Sequence, residues 1–569
     1  MPTISINRAD FLALVGRPGK PVSAEELSAW LPLVKGELKD DEAEQEWRIE
    51  LQDSNRPDLW SCEGVARQIR IGVDGKPAAY PFFTTKKQAA RRIVVSPGMD
   101  KVRPYVAACT ATRYEMTAEG LAQFIQTQEK LADIYGRKRA TVSIGLYRLA
   151  PIVFPVAYTL VKPDEGRFTP LGFDQKLSPR EILTVHPKGM EYAGILAGHE
   201  RVPLLVDAEG QVLSFPPIIN SRELGEVQPG DRELFVEVTG TDLSMVILTL
   251  NILAVNLADR GALVEPVDVQ YPYDTARGAT VQTPQDIGST HTVPLSAVEG
   301  ALGEALRAAD VESALRRYGY EVTHGKGAIQ VRLPPYRNDV MHPVDVVEDV
   351  AISRGYHTFA PVMPSLFTVG SLSRTEQMSD RMRDLLIGFG FQEIMSNIMT
   401  SRADVIERMR LGGTDWARVV EVDNVMSQSY ACLRQWIVPS LLRVEAASGR
   451  AFYPHRIFEA GEVAVPHTDE PQGSRTVMMV GALIAHATAN FSEIHSYLDL
   501  LLYYLRIPYA LEVFAHPSFL DGRAGRVIAE GRPIGLIGEL HPEVLEQWQV
   551  GMPTVVFELD ADALVRRAD

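Results

Sequence analysis

The sequence predicts an α+β, multidomain chain, and three observations carry that prediction. At 569 residues it is too long for one hydrophobic core, so roughly three to five domains are expected. Hydrophobic residues make up 46% and charged residues 23%, an ordinary folded composition with no low-complexity tract or long block of like charge. Short β-branched runs alternate with runs of helical period along the whole length, which excludes an all-helical or all-strand fold.

Taken in order, the elements divide the chain into domains at 1–88, 89–268, 269–358 and 359–569. In the first, Thr3 to Ile6 and Trp47 to Leu51 read as strands. The Asn55-Arg56-Pro57 turn feeds a helix whose apolar face carries Leu59, Val65 and Ile69. The second domain is mixed α/β, with strands near Ile93 to Val95 and Tyr105 to Thr110, a helix from Glu119 to Tyr135, and three strand candidates before an apolar helix that starts at Leu243. The third is small and helix-turn-helix-like: two short helices end at Gly319, Ile329, Val331 and Leu333 alternate as a strand, and Pro343 opens a helix that runs to about Ser353. The last has strand candidates at Val419 to Val422, Arg456 to Phe458, Val477 to Ile484, Gly525 to Ile528, Ile534 to Gly538 and Thr554 to Phe557. With helices at Thr375 to Phe389 and Phe491 to Leu505, it reads as an antiparallel sheet flanked by helices.

A net charge of -16 argues against a long-range field that gathers nucleic acid, so any RNA contact must be local. Two basic clusters offer one, Lys86-Lys87 with Arg91-Arg92 and Arg137-Lys138-Arg139, although a short charge cluster is more often a solvated face. Cys62, Cys109 and Cys432 are widely spaced, so neither a disulfide framework nor a zinc knuckle is encoded, which fits a reducing cytoplasm. Arg8 and Asp10 interrupt the N-terminus before a signal-like apolar run. The uncharged run from Leu243 to Ala258 is short for a membrane span and contains Ser244, Thr249, Asn251 and Asn256, so it is expected to be a buried helix.

One segment, YRNDVMHPVDVVEDVAISRGY, concentrates carboxylates. Asp345, Glu348 and Asp349 stand at i, i+3 and i+4, on one face, opposite or beside Val344, Val347 and Ala351, with Asp339 just upstream. Like charges so close need compensation. A cation, hard enough for oxygen ligands, and ion pairs with arginines such as Arg337 and Arg354 both provide it. No GxxxxGK[ST], HExxH or GxSxG is present, and Gly412-Gly413 is too short to cradle a phosphate.

Several segments together resemble the β subunit of phenylalanyl-tRNA synthetase in the shorter form typical of archaea and eukaryotes. They are NRPDLWSCEGVAR, QEKLADIYGRKRATVSIG, HPKGMEYAGIL, PPIINS with VEVTGTD, LPPYRNDVMHPVDVVEDVAISRGY, IFEAGEV, HPSFLDGRAG and IGLIGELHPEVL, in the family's order over nearly the whole chain. The resemblance implies a cytoplasmic α2β2 heterotetramer, an aminoacyl-tRNA synthetase that charges tRNA(Phe) with phenylalanine using ATP and Mg²⁺. The α chain then carries adenylation. This chain supplies an editing domain at 89–268, a B5-like domain at 269–358 and a class II synthetase-like antiparallel sheet domain that lacks catalysis. It also implies a magnesium site at the α-β contact, with Asp339, Asp345, Glu348 and Asp349 on the matching positions.

Class II chemistry needs an arginine near a glutamate and a second arginine element. Arg456 and Glu459 mimic the first, and the second is missing. For editing, the resemblance implies a pocket for mischarged tyrosine built from Leu205, Ser214, Pro217, Asn220, Glu237 and Thr239. Hydrolysis would use a positioned water and the tRNA's own terminal hydroxyl rather than a Ser-His-Asp triad. Glutamate stands at 237 where archaeal relatives are expected to carry aspartate. The alternative is therefore an editing-inactive chain that serves assembly and tRNA docking. A free-standing hydrolase would not need the long C-terminal domain.

Overall fold

The structure is a computed structural model that describes residues 2–16, 22–40, 46–52, 55–75, 77–84 and 89–565. The Lys86-Lys87 pair lies outside the described residues. The chain forms two compact units, Met1–Val362 and Met363–Asp569.

The first unit contains three sheets. Strands Thr3–Asn7, Glu46–Leu51 and Gly36–Asp40 pair antiparallel, with Glu46–Leu51 in the centre. Ile4, Ile6, Trp47, Ile49 and Leu51 alternate inward, as a half-buried sheet requires. Helix Cys62–Asp74 packs on them, started by the Ser61 hydroxyl that accepts from Gly64 N–H. Gly64 has to be glycine, because a Cβ there would sit 1.8 Å from the Asp58 carbonyl oxygen.

A ten-stranded mixed sheet follows. By residue number its path runs 219–220, 212–215, 202–206, 156–161, 91–95, 263–270, 105–112, 234–240, 142–148, and 280–283 pairs with 263–270 off that path. Helix Leu243–Asp259 crosses it and is buried on nearly all sides, as its lack of a polar stripe dictates. Its buried amides are satisfied: Asn251 Nδ2 donates to the Gln285 and Pro335 carbonyls at 2.8 and 2.7 Å.

The third sheet joins Thr290–Pro294, Ala328–Arg332 and Glu321–His324, with helices Leu295–Leu302, Ala308–Arg316 and Pro343–Arg354 around one core. Gly319, at φ +95°, ends the second helix. The expected face of the third helix is corrected by the structure. Val344 is 53% exposed and Asp349 is buried, while Val346, Val347, Val350 and Ala351 make the core face. Asp349 turns inward because a buried arginine neutralises it.

The second unit is built on a seven-stranded sheet with the order 392–393, 455–466, 474–485, 554–560, 532–540, 519–529, 510–513. All neighbours are antiparallel except the first pair. Helices Arg374–Gly388 and Phe491–Leu505 cover one face, and Val438–Ala447 with Pro542–Trp548 cover the other. The expected strand at Val419 to Val422 shortens to Val420–Glu421 and joins a separate small sheet with 399–400 and 432–433.

Arg456 and Glu459 do not act together. Three positions apart on a strand, they point to opposite faces. Arg456 lies 5.5 Å from the Tyr497 ring centroid. Glu459 instead accepts from Arg434 Nη1 at 2.8 Å and from the Ser396 hydroxyl at 2.6 Å.

Candidate functional site

In the first unit a cavity of about 270 Å³ opens between helix Ala118–Lys130, strand Val142–Arg148, segment 214–220 and strand Leu234–Gly240. Its chemistry comes from strand register. Glu237 stands opposite Gly145, and Phe235 opposite Tyr147. A side chain at Gly145 would place its Cβ 2.2 Å from the Tyr147 hydroxyl and 2.5 Å from Glu237 Oε1, so glycine makes the space in which those two groups meet. The Tyr147 hydroxyl donates to Glu237 Oε1 at 2.9 Å and lies 3.4 Å from Asn220 Oδ1. Among the described residues Glu237 Oε2 is buried without a hydrogen-bond partner, and the Ser214 hydroxyl, likewise buried, has only the Tyr147 hydroxyl near it. Such a group costs free energy unless something satisfies it.

Burial raises the Glu237 carboxyl to about 7, against the lowering pull of the Tyr147 hydrogen bond and of Arg103. At neutral pH it therefore stands between carboxyl donor and carboxylate acceptor.

Of the six residues expected in this pocket, Ser214, Pro217, Asn220 and Glu237 line the cavity. Leu205 and Thr239 stand behind it. Leu205 is fully buried, paired with Ser214 across the strands. Thr239 is fully buried too, its hydroxyl accepting from Arg103 Nε at 3.0 Å and lying 2.9 Å from that of Ser143. Tyr147, Arg103 and Arg139 were not singled out for this pocket by the sequence. Only the pairing of Val142–Arg148 with Leu234–Gly240 brings Tyr147 to Glu237, and single-sequence patterning does not give that register.

The four acids of the 339–349 segment have separate partners. Asp339 and Asp349 both accept from Arg337 Nη2, at 2.7 and 2.8 Å, and Asp349 also accepts from the Tyr320 hydroxyl at 2.5 Å. Burial alone would raise Asp339, but Arg337 and Arg56 outweigh it and hold the carboxyl well below its usual range. Asp345 accepts from the Met341 and His342 N–H groups at 2.8 Å each, closing the start of its helix. Glu348 pairs with Lys35 at 3.0 Å, and Arg354 with Glu304 at 2.9 Å. Among the described residues no three His, Cys, Asp or Glu side chains are grouped to hold a metal. The cation found between Asp339 and Asp349 is the Arg337 guanidinium.

Among the described residues no helix is long and apolar enough to cross a membrane. A tRNA synthetase B5 domain matches residues 291–356, and the phenylalanyl tRNA synthetase beta chain CLM domain matches residues 360–561. These adjoining modules define a chain of an aminoacyl-tRNA synthetase. Full-length comparison is more specific. Phenylalanine–tRNA ligase beta subunits from Treponema pallidum (40% identical, over 91% of this chain and 86% of that one), Borrelia hermsii (35%, over 99% and 100%) and Thermococcus sibiricus (35%, over 98% and 98%) align with it. The chain belongs to the phenylalanine–tRNA ligase beta-subunit family. The crystal structure of an N-terminal fragment of the phenylalanyl-tRNA synthetase beta subunit from Pyrococcus horikoshii is similar at 34% identity and TM-score 0.58, covering 62% of this chain and all of the fragment.

Two outcomes follow from this geometry. Arg337→Met leaves Asp339 and Asp349 buried with only the more distant Arg56 as cation, and should cost about 3–5 kcal/mol in denaturant unfolding; a loss below about 1 kcal/mol contradicts the assigned pairing. The second concerns Glu237, whose carboxyl titrates near 7 when folded against an ordinary 4.5. Between those values the folded state binds more protons, so stability falls as pH rises through that window, by about 3 kcal/mol in full at 1.36 kcal/mol per unit. Glu237→Gln removes the dependence, and its melting temperature relative to the wild type should be higher at pH 8 than at pH 5. An equal difference at both pH values contradicts it.

Proposed function

We propose that the cavity of the first unit is an editing site that hydrolyses tyrosyl-tRNA(Phe), within a ligase whose α chain performs adenylation and transfer. The observation that carries this reading is the pair of buried oxygens at the cavity, Glu237 Oε2, which makes no hydrogen bond among the described residues, and Ser214 Oγ, which has only the Tyr147 hydroxyl near it. A tyrosine phenol would satisfy both, whereas a phenylalanine ring would leave them unpaired. Discrimination by a buried hydrogen-bonding site against the substrate that lacks the hydroxyl is large. Tyr147 positions Glu237 through Oε1, and Gly145 leaves the room. In the reaction, water adds to the ester carbonyl and the bond to the ribose oxygen breaks. That oxygen regains a proton, and tyrosine leaves as the carboxylate. No side chain here is assigned as an obligatory base.

In this proposal the assembly is a cytoplasmic α2β2 heterotetramer, and ATP binds the α chain. A Mg²⁺ ion at Asp339, Asp345, Glu348 and Asp349 requires ligands from the α chain, and no step of the editing reaction is routed through it. One observation favours the scaffold reading: the Tyr147 hydroxyl already occupies one oxygen of Glu237, as a fixed mimic of the substrate phenol would.

The test is deacylation of preformed tyrosyl-tRNA(Phe) by this chain coexpressed with its α partner. Wild type should deacylate, and Glu237→Ala, Asn220→Ala and Gly145→Ala should each lose roughly tenfold or more, with phenylalanine charging retained. A wild type that charges phenylalanine and leaves tyrosyl-tRNA intact makes the chain a scaffold.

A further inference from the structure

The basic run Arg137-Lys138-Arg139 takes no part in the hydrolysis proposed above, yet its last residue lines the cavity. Helix Ala118–Lys130 continues into the π-helical turn Leu131–Tyr135 and stops at Gly136, where a Cβ would sit 2.4 Å from the Ala132 carbonyl oxygen and 2.5 Å from that of Val142. Three consecutive non-glycine residues then adopt left-handed backbone, with φ of +50°, +52° and +66° at Arg137, Lys138 and Arg139. Contact between Cβ and the following carbonyl disfavours this conformation, and a run of three needs outside support. Backbone hydrogen bonds supply it: Lys138 N–H donates to Asp133 O at 2.8 Å, Arg139 N–H to Ala132 O at 2.9 Å, and Thr141 N–H to Gly136 O at 2.9 Å.

The three side chains divide their tasks. Arg139 lines the cavity and braces its wall, Nη1 donating to the Pro217 and Ile218 carbonyls at 3.3 and 2.9 Å, with its guanidinium 4.5 Å from the Tyr192 ring centroid. Arg137 and Lys138 are exposed, and among the described residues neither makes an ion pair or side-chain hydrogen bond. The fold thus holds a strained turn in place and leaves two exposed cations directly before a residue that lines the cavity.

A cavity of about 270 Å³ has room for an aminoacyl group but not for the nucleotides behind it, whose phosphodiesters must lie outside. The chain as a whole repels them, at -16, and in the lining Glu129 and Glu226 add negative charge while the cation Lys188 is already paired with Glu191. Local cations have to overcome this.

We infer that the Arg137–Arg139 turn docks the last phosphodiesters of an RNA 3′ end, Arg137 and Lys138 pairing with phosphates while Arg139 fixes the cavity wall. The inference rests on the editing reading. It is tested with the α-β complex, tyrosyl-tRNA(Phe), and the phosphate-free ester 2′(3′)-O-tyrosyl adenosine. For Arg137→Gln with Lys138→Gln, KM for the tRNA should rise roughly tenfold at 0.1 M salt with kcat retained. The slope of log KM against log salt should fall by about 1.4, near 0.7 for each lost single-strand phosphate contact. The ratio of tRNA to ester kcat/KM should drop accordingly, and Arg137→Lys with Lys138→Arg, which keeps both charges, should behave as wild type. An unchanged salt slope, or an equal loss on both substrates, overturns the inference while the editing reading stands. A wild type that hydrolyses neither substrate removes the editing reading, and this inference with it.

Discussion

The candidate site depends on one buried cation, the guanidinium of Arg103. It is 1% exposed and, among the described residues, has no carboxylate within ion-pair distance. Instead it donates to the Thr239 hydroxyl and carbonyl, the Ser143 hydroxyl and the Ala140 carbonyl, at 2.8 to 3.1 Å. Those acceptors lie on the strand of Glu237, on the strand of Tyr147 and at the end of the Arg137–Arg139 turn. One side chain thus ties two of the strands that wall the cavity to the turn that carries Arg139. Its charge also opposes the upward effect of burial on the Glu237 carboxyl, and burial in turn lowers its own proton affinity. Thr239 matters to the pocket through this anchor.

Elsewhere in the first unit buried arginines repeat the device. Arg67 donates to Asn256 and Asp259, Arg260 to Asp10 and Glu63, and Arg337 to Asp339 and Asp349. Each joins segments far apart in sequence or clamps two acids at once. Buried pairs of this kind contribute little net stability over a well-packed apolar substitute, but losing one partner is costly. They explain why a chain with an acidic surplus can bury as many carboxylates as this one does.

Much of the architecture was legible because it is local. The apolar run after Leu243 reads as a buried helix, Pro343 as a helix start and Gly319 as a stop, since composition and turn chemistry act over a few residues. Strand alternation likewise locates the sheet of the second unit. What was not legible depends on tertiary neutralisation or strand register. Helical spacing places Asp349 on one face with Asp345 and Glu348. Only the fold shows that Arg337, one of the two arginines the sequence offers as partners, draws it into the core, so that Val344 gives up the core position that helical spacing assigned to it. Arg456 and Glu459 read as a pair until the strand separates them, and Arg434 takes the role. Glu237 was found through the family resemblance, whereas its partner Tyr147 emerges only from the register opposite Gly145.

In the proposed editing reaction Glu237 and Ser214 hold the hydroxyl of a misattached tyrosine. A crystal structure of the α-β complex with the non-hydrolysable 3′-tyrosylamino analogue of the terminal adenosine tests it directly. The account predicts the phenol oxygen within hydrogen-bond distance of Glu237 Oε2 and Ser214 Oγ, with Tyr147 still on Oε1. An analogue bound with its phenol in solvent, or bound away from this cavity, would contradict it.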